Sequence, residues 1–332
     1  MNTYNFGVYR LQSSVGLACL PLAKSAGQPD VCVVVRRTLD RLPFIGGSSH
    51  SWRNRNGDVS LVLQRSAGAW TLRVPNLAEF VIDRSRRRIE IDRVSGLRDE
   101  ELEHLLIDQV LPRVFKHTGE IVLHAAAVDI AGHVALFAGE TGVGKSTLCA
   151  ALDRLGHKVL TDDCVFLRSV GTTASAMPTY SSLRVRPDTL GSFFAERGDR
   201  DSLSGYGEKR RLPLPARSEL HHWREVAALY ILNGRDHSRT HHAITRQGYG
   251  RACIDVLANT FRLDPPDPAG GAELFATATD LVRRLPVFAL EVPGTLAALR
   301  KDSSQMSRRF VKIHRQFTVV TTSADGPLHA AL

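Results

Sequence analysis

Several signatures are missing from this chain, and each absence narrows what it can be. No apolar run approaches the ~20 residues that a membrane helix needs, so no spanning segment and no membrane partner is expected. The five cysteines (Cys19, Cys32, Cys149, Cys164 and Cys253) are odd in number and form no C-x-x-C pair. They read as small buried side chains in a reducing compartment and not as a disulfide framework. There is no zinc finger, no RNP-type aromatic motif and no basic-aromatic tract, so nucleic acid is not an expected partner. Residues 15–23 are mildly apolar but lack a lysine-rich leading region and a long apolar core, which argues against a signal peptide. A cytoplasmic location is expected. No internal repeat is found.

What is present is ordinary in amount and uneven in charge. The 332 residues are 43% hydrophobic and 23% charged, as in a soluble globular protein, but the net charge is +9. That sign suits an acidic partner or phosphate ligands. The arginines are scattered, apart from short runs at 84–88 and 209–211, and solvated basic faces account for most of the excess.

Residues 1–95 read as a β-rich, α+β domain. Runs at 6–11, 31–35, 59–63, 70–74, 80–82 and 89–91 are short and rich in β-branched and aromatic residues, with glycine- and asparagine-containing turns between them. Leu102, Leu105, Leu106, Val110, Val114 and Phe115 then trace one face of a bridging helix within 96–120, with a kink expected at Pro112 and an end at Gly119. Residues 121–332 read as an α/β domain. Strands are expected at 121–130, 133–138, 158–160, 181–185, 227–232 and 287–290, and helices at 272–285 and 295–316. Residues 198–215 form a long polar segment containing Gly205, Gly207 and Lys209-Arg210-Arg211. Such a segment inside a compact domain is functional or disordered.

The chain is organised around Gly139-Glu140-Thr141-Gly142-Val143-Gly144-Lys145-Ser146-Thr147, which fits the G-x-x-x-x-G-K-[ST] pattern at every fixed position. The apolar run 134–138 before it reads as a buried strand, and Leu148, Leu152 and Leu155 after it fall at helical spacing. Phosphates would therefore rest in a nest of backbone N–H groups at a helix N-terminus. Lys145 would reach the terminal phosphates, and Ser146 would hold Mg²⁺. A bound nucleoside triphosphate, ATP with Mg²⁺, is expected. Asp162 and Asp163 follow only 17 residues after Lys145, at the end of a predicted strand, the edge where open α/β sheets bind ligands. Two adjacent carboxylates divide the work of phosphoryl transfer, one holding the metal and one taking a proton. Neither the L-S-G-G-Q signature of transporter-type ATPases nor the N-K-x-D motif of GTPases is present.

His124, the loop 139–147 and Thr161-Asp162-Asp163 together resemble the catalytic core of the HPr kinase/phosphorylase family. The β-rich first part, the phrase 121–126, Tyr180-Ser181-Ser182-Leu183-Arg184 and the run 209–214 resemble the HPr-kinase-like proteins of lasso-peptide and other modified-peptide biosynthesis more closely. The resemblance implies that Asp162 is the general base, that Asp163 lies beside Mg²⁺ with Ser146, and that His124 lies close to the transferred group. The residues alone leave His124 open as a buried strand histidine. The acidic-arginine-glycine signature that follows the aspartates in HPr kinases is absent. That absence speaks against HPr as the acceptor, and the resemblance to the peptide-modifying kinases implies a seryl hydroxyl at the C-terminus of a precursor peptide instead.

Lys209, Arg210 and Arg211 are either a clamp for phosphate or carboxylate, with Arg210 and Arg211 as nucleotide contacts, or a solvated face. Arg184 is a further clamp candidate. The histidines 221, 222, 237, 241 and 242 lack the spacing of a zinc site. Three readings follow: a kinase of a peptide or small-metabolite hydroxyl, a P-loop ATPase driving work on a partner, and a nucleotide-gated peptide escort. The oligomeric state is not legible.

Overall fold

Alternating apolar and polar side chains in the first 94 residues have the period of two that puts one face of each strand into a core. The computed structural model describes residues 1–24, 27–42, 49–54, 56–115, 119–194, 209–214, 222–234, 236 and 238–322. Its first sheet comprises β1 (Asn2–Phe6), β2 (Tyr9–Ser13), β3 (Val31–Leu39), β4 (His50–Arg53), β5 (Val59–Arg65), β6 (Ala69–Val74), β7 (Ala78–Asp83) and β8 (Arg88–Val94). Their order is β1-β2-β3-β8-β7-β6-β5-β4, antiparallel except where β3 meets β2 and β8. The strand expected over 6–11 is instead a hairpin. Phe6 pairs with Tyr9 across a turn in which Gly7 has φ +61°, a conformation glycine reaches without strain.

The bridging segment is helical from Asp99 to Val114, as α1 (Asp99–Leu105), a π-helical turn (Leu106–Val110) and α2 (Leu111–Val114). Pro112 accounts for its form. It has no N–H to give the carbonyl four residues back, and it sits in the first turn of α2. Just before it the ladder widens, so that the Leu111 N–H reaches Leu106 O. The widened turn carries Asp108.

The second sheet comprises β9 (Glu120–Leu123), β10 (Ala125–Ile130), β11 (His133–Ala138), β12 (Lys158–Thr161), β13 (Val165–Val170) and β14 (Thr173–Pro178). A separate two-stranded pair is formed by β15 (Ser182–Val185) and β16 (Arg210–Pro213). β17 (Arg224–Leu232), β18 (Ala243–Arg246) and β19 (Val287–Glu291) complete the main sheet. Its order is β12-β10-β11-β17-β14-β13-β9, with β19 on β17 and β18 on β19. The single strand expected over 121–130 is broken at His124, because β9 pairs with β13 while β10 pairs with β11 and β12. Within the expected loop 198–215, residues 210–213 form a strand; 198–208 and 215 lie outside the described residues.

The helices are α3 (Lys145–Arg154), α4 (Pro187–Phe194), α5 (Tyr249–Ala258), α6 (Pro268–Arg284) and α7 (Leu296–Thr322). Apolar side chains of α3, α4 and α7 cover one face of the second sheet, and those of α5 and α6 cover the other. A third cluster joins the first sheet and the bridging helix to Cys164, Phe166, Met177 and Tyr180. Tyr9 stacks on Phe115 there at 4.3 Å. No helix among the described residues is long and apolar enough to cross a membrane. β11, β12, β17 and β19 run in one direction, so the segments leaving their carboxyl ends gather at one edge.

Candidate active site

The segment between β11 and α3 needs glycine at three places, since Gly139, Gly142 and Gly144 all have positive φ (141°, 79° and 117°). The Gly139 N–H donates to Asn259 Oδ1 at 2.9 Å, and the His124 N–H donates to Asn259 O at 2.7 Å. Asn259 therefore pins the start of the loop to the break between β9 and β10. A Cβ on Gly139 would lie 2.7 Å from the Leu232 carbonyl oxygen, which is backbone and cannot swing away. Gly139→Ala should cost at least about 1–3 kcal/mol of stability, read as a shift in the denaturant midpoint at unchanged slope. Lys145 is buried, and its Nζ folds back onto Gly139 O at 2.7 Å and Glu140 O at 3.2 Å. Burial lowers its pKa, against the pull of Asp163 and Asp162. Glu140 and Thr141 are exposed at the tip, while Val143 is buried. Thr147 Oγ1 meets Thr189 Oγ1 at 3.3 Å.

β12 delivers Asp162 and Asp163 to the same edge, both buried. Asp162 Oδ2 accepts the Arg184 backbone N–H at 2.9 Å, and the carboxylate also takes a hydrogen bond from Ser146. Its Oδ1 has no partner among the described residues. Burial and the adjacent Asp163 charge push the Asp162 carboxyl up to about 7. Asp163 goes the other way. Burial raises it, but His124 (Nε2 to Oδ1, 3.6 Å), Arg184 (3.7 Å) and the Lys209 charge outweigh burial and hold it well below the ordinary range. Burial, then the Lys145 charge, keeps the His124 imidazole below its usual pKa. Neighbouring carboxylates in opposite protonation regimes are the arrangement that separates an acid or base from a fixed charge.

Lys145, Ser146, Asp162, Asp163 and His124 are thus brought together. The basic run is divided. Arg210 is exposed on β16, whereas Arg211 is buried with its guanidinium 3.5 Å from Asp108 and over the Tyr180 ring at 5.7 Å. In this structure Arg211 is engaged with Asp108 and Tyr180, and the member of the run whose charge acts on Lys145 and both aspartates is Lys209. Arg184 joins Asp163 to Asp108, at 3.7 and 3.1 Å. Asp108 also meets His104 Nδ1 and accepts the Tyr180 hydroxyl. Asp108 was invisible to sequence reasoning because it belongs to no motif and sits inside an apolar helical run. Of the expected histidine group, His241 and His242 lie at 3.5 and 2.7 Å from Asp302; His221 and His237 lie outside the described residues.

A recess of about 240 Å³ adjoins the loop, between Gly144, Thr147 and the turn of Val292, Pro293, Gly294 and Thr295. A larger cleft of about 530 Å³ lies between the first sheet and the start of α6.

Comparison with known proteins adds kinship for part of the chain. Over 112 residues it is 34% identical to the HPr kinase/phosphorylase of Clostridium botulinum strain Eklund 17B, which is 32% of this chain and 35% of that protein. Over 52 residues it is 38% identical to the HPr kinase/phosphorylase of Caldanaerobacter subterraneus, 16% of this chain and 17% of that one. Part of this chain is thus similar to HPr kinase/phosphorylases. It spans about a third of the length of the first of these relatives. No protein-family model matches it. The solved HPr(Ser) kinase/phosphatase of Coxiella burnetii aligns with 58% of this chain and 97% of its own at 15% identity and a TM-score of 0.29. A likeness that weak carries no argument. The HPr kinase/phosphorylase kinship agrees at family level with the resemblance read from His124, the glycine loop and the aspartate pair.

Proposed function

We propose that this protein is an ATP- and Mg²⁺-dependent kinase that phosphorylates a serine hydroxyl, with a ribosomally made, lasso-type precursor peptide as acceptor. The observation that carries this reading is the buried Asp162–Asp163 pair, split in protonation and set against Lys145 and Ser146. The kinship to HPr kinase/phosphorylase supports the same chemistry.

The glycine loop offers backbone N–H groups at the start of α3, where no side chain caps the helix. Lys145, released from Gly139 O and Glu140 O, pairs with the terminal phosphates. The recess at Thr147 and Gly294 lies beside the start of α3, on the path of a nucleotide whose phosphates rest in the loop. Two buried carboxylate oxygens lack a hydrogen-bond partner among the described residues, Asp162 Oδ1 and Asp163 Oδ2. With the Ser146 hydroxyl, the Asp163 oxygen makes the hard oxygen pair that would suit Mg²⁺, and the Asp162 oxygen is left to take a proton. When bound, the metal neutralises charge on the transferring phosphoryl group. Asp162 takes the proton of the attacking serine, whose oxygen bonds to the γ-phosphorus as the β–γ bridging oxygen departs with ADP. Asp163, held ionised by Arg184 and His124, stays on the metal side.

A second assignment exchanges the two aspartates, and one observation favours it: the hydrogen bond between Ser146 and Asp162 puts Asp162 beside the metal-binding hydroxyl. Both assignments are kinases. Mass spectrometry of serine-containing precursor peptides incubated with the protein, ATP and Mg²⁺ tests the shared reading, with Lys145→Ala as the blank. A phosphate added to serine is expected. ATP consumed with no peptide modified would leave an ATPase.

A further inference from the structure

The cleft of about 530 Å³ between the first sheet and α6 contains a buried arginine, Arg113, that none of its own acids pairs with. Arg113 lines it from α2 and is nine-tenths buried. Its NH1 donates to Gln109 O at 2.5 Å, and its guanidinium lies 5.1 Å from the Trp52 ring and 5.0 Å from the Phe261 ring. Its Nε has no hydrogen-bond partner, and no carboxylate pairs with it among the described residues. Arg86 enters from the β7–β8 turn against Trp70, where burial lowers its pKa against the opposing charges of Asp264, Asp267 and Glu273.

The three acids lining the cleft are already engaged. Glu120 accepts the Tyr9 hydroxyl and faces Arg168. Asp264 holds Arg65 and the Trp70 indole N–H. Asp267 caps α6 through the Gly270 N–H. A buried cation without a counter-charge is costly unless a ligand supplies one. Burial alone brings the Arg113 pKa down to about 10. The remaining walls, Phe115, Ile121, Phe261, Leu263 and Leu274, are apolar.

The cleft also touches the candidate active site. Phe261 lies near both Arg113, at 5.0 Å, and the His124 ring, at 5.5 Å. β9 is the terminal strand of its sheet, and Phe261 N–H donates to Val122 O along its outer edge. That edge is taken by the chain's own Thr260–Phe261 segment, so the cleft offers guanidinium groups between apolar walls, which suit a chain with acidic and apolar side chains.

We propose that this cleft binds an acidic, apolar-flanked peptide segment, its carboxylates held by Arg113 and Arg86, and so anchors the acceptor beside Asp162 and Asp163. Naming the ligand as acceptor rests on the kinase reading; the binding does not.

The probe is a fluorescein-labelled hexapeptide of alternating aspartate and leucine, with an asparagine–leucine counterpart, followed by anisotropy on the full chain without nucleotide. The acidic peptide should bind at least about tenfold tighter than the neutral one, the scale of one charge-assisted hydrogen bond. Arg113→Met should lose that preference without lowering the thermal midpoint, because it removes an uncompensated buried charge. Arg86→Met, in a turn of the first sheet, should lose part of it and serves if Arg113→Met does not fold. Equal binding of the two peptides, no anisotropy change, or an unaltered preference in both variants would overturn the proposal. The kinase reading fails separately. Arg113-dependent binding with no peptide phosphorylated by ATP leaves the cleft and removes the kinase. Phosphorylation at an unchanged KM in Arg113→Met leaves the kinase and removes the cleft.

Discussion

Asp162→Asn should lower phosphoryl transfer by about a hundredfold or more, the scale of losing a general base, while Mg-ATP still binds. Asparagine keeps the shape and can still accept the Arg184 N–H, but it cannot take a proton. The pH profile adds a second readout. With the free-protein carboxyl at about 7, kcat/KM should rise with pH through that value, since only the ionised form is a base, and the rise should vanish in the variant. Stability runs the other way. The folded protein holds the Asp162 proton more tightly than the unfolded chain, whose value is near 3.8. The associated stability is therefore complete below that value and is lost as pH rises to about 7. Asp162→Asn should accordingly be more resistant to denaturant than the parent above pH 7 and should lose that advantage towards pH 4. If the variant instead transfers phosphate normally once Mg²⁺ is raised, Asp162 is a metal ligand and the roles of the two aspartates are exchanged.

Asp108→Ala should destabilise the fold by about 3–5 kcal/mol, the scale of breaking a buried ion pair from one side. Asp108 is buried, and it receives Arg184, Arg211, His104 and the Tyr180 hydroxyl together. Burial pushes its carboxyl up, and His104 and Arg184 more than reverse that, so the charge is present in the folded protein. Alanine leaves Arg211 and the Tyr180 hydroxyl buried without this acceptor. Asp108→Asn should cost less, because an amide oxygen still accepts one hydrogen bond. Denaturant midpoints of the two variants check the order. Because Arg184 joins Asp108 to Asp163 and bonds Asp162 through its backbone, Asp108→Asn should also disturb transfer. An unchanged rate together with unchanged stability would remove Asp108 from the network.

How much of this was legible depended on how local each feature is. The strand before the glycine loop and the helix after it are set by short-range patterning, and both formed where the spacing placed them, as β11 and α3. The aspartates follow within one helix and one short strand, so their proximity to Lys145 is nearly a local property as well. Boundaries failed where a strand changes partners. Residues 121–130 are one apolar run, and nothing in that run marks His124 as the point where pairing passes from β13 to β11 and β12. β14, β18, α4 and α5 went unread, because short elements carry weak periodicity and their partners lie far away in sequence.

The chain by itself determined its glycine loop, its paired carboxylates and its α/β class with a β-rich beginning, because each is written in contiguous residues whose backbone and apolar period suffice. Tertiary structure alone decided what those groups feel. It buried Asp162 beside the Asp163 charge, which raises it, and set Asp163 against His124 and Arg184, which lower it, so identical neighbours shift in opposite directions. It turned Arg211 onto Asp108, 103 residues earlier, and left Arg113 without a counter-charge beside an open cleft. Desolvation and charge pairing depend on distances between segments remote in sequence, and no local pattern encodes them.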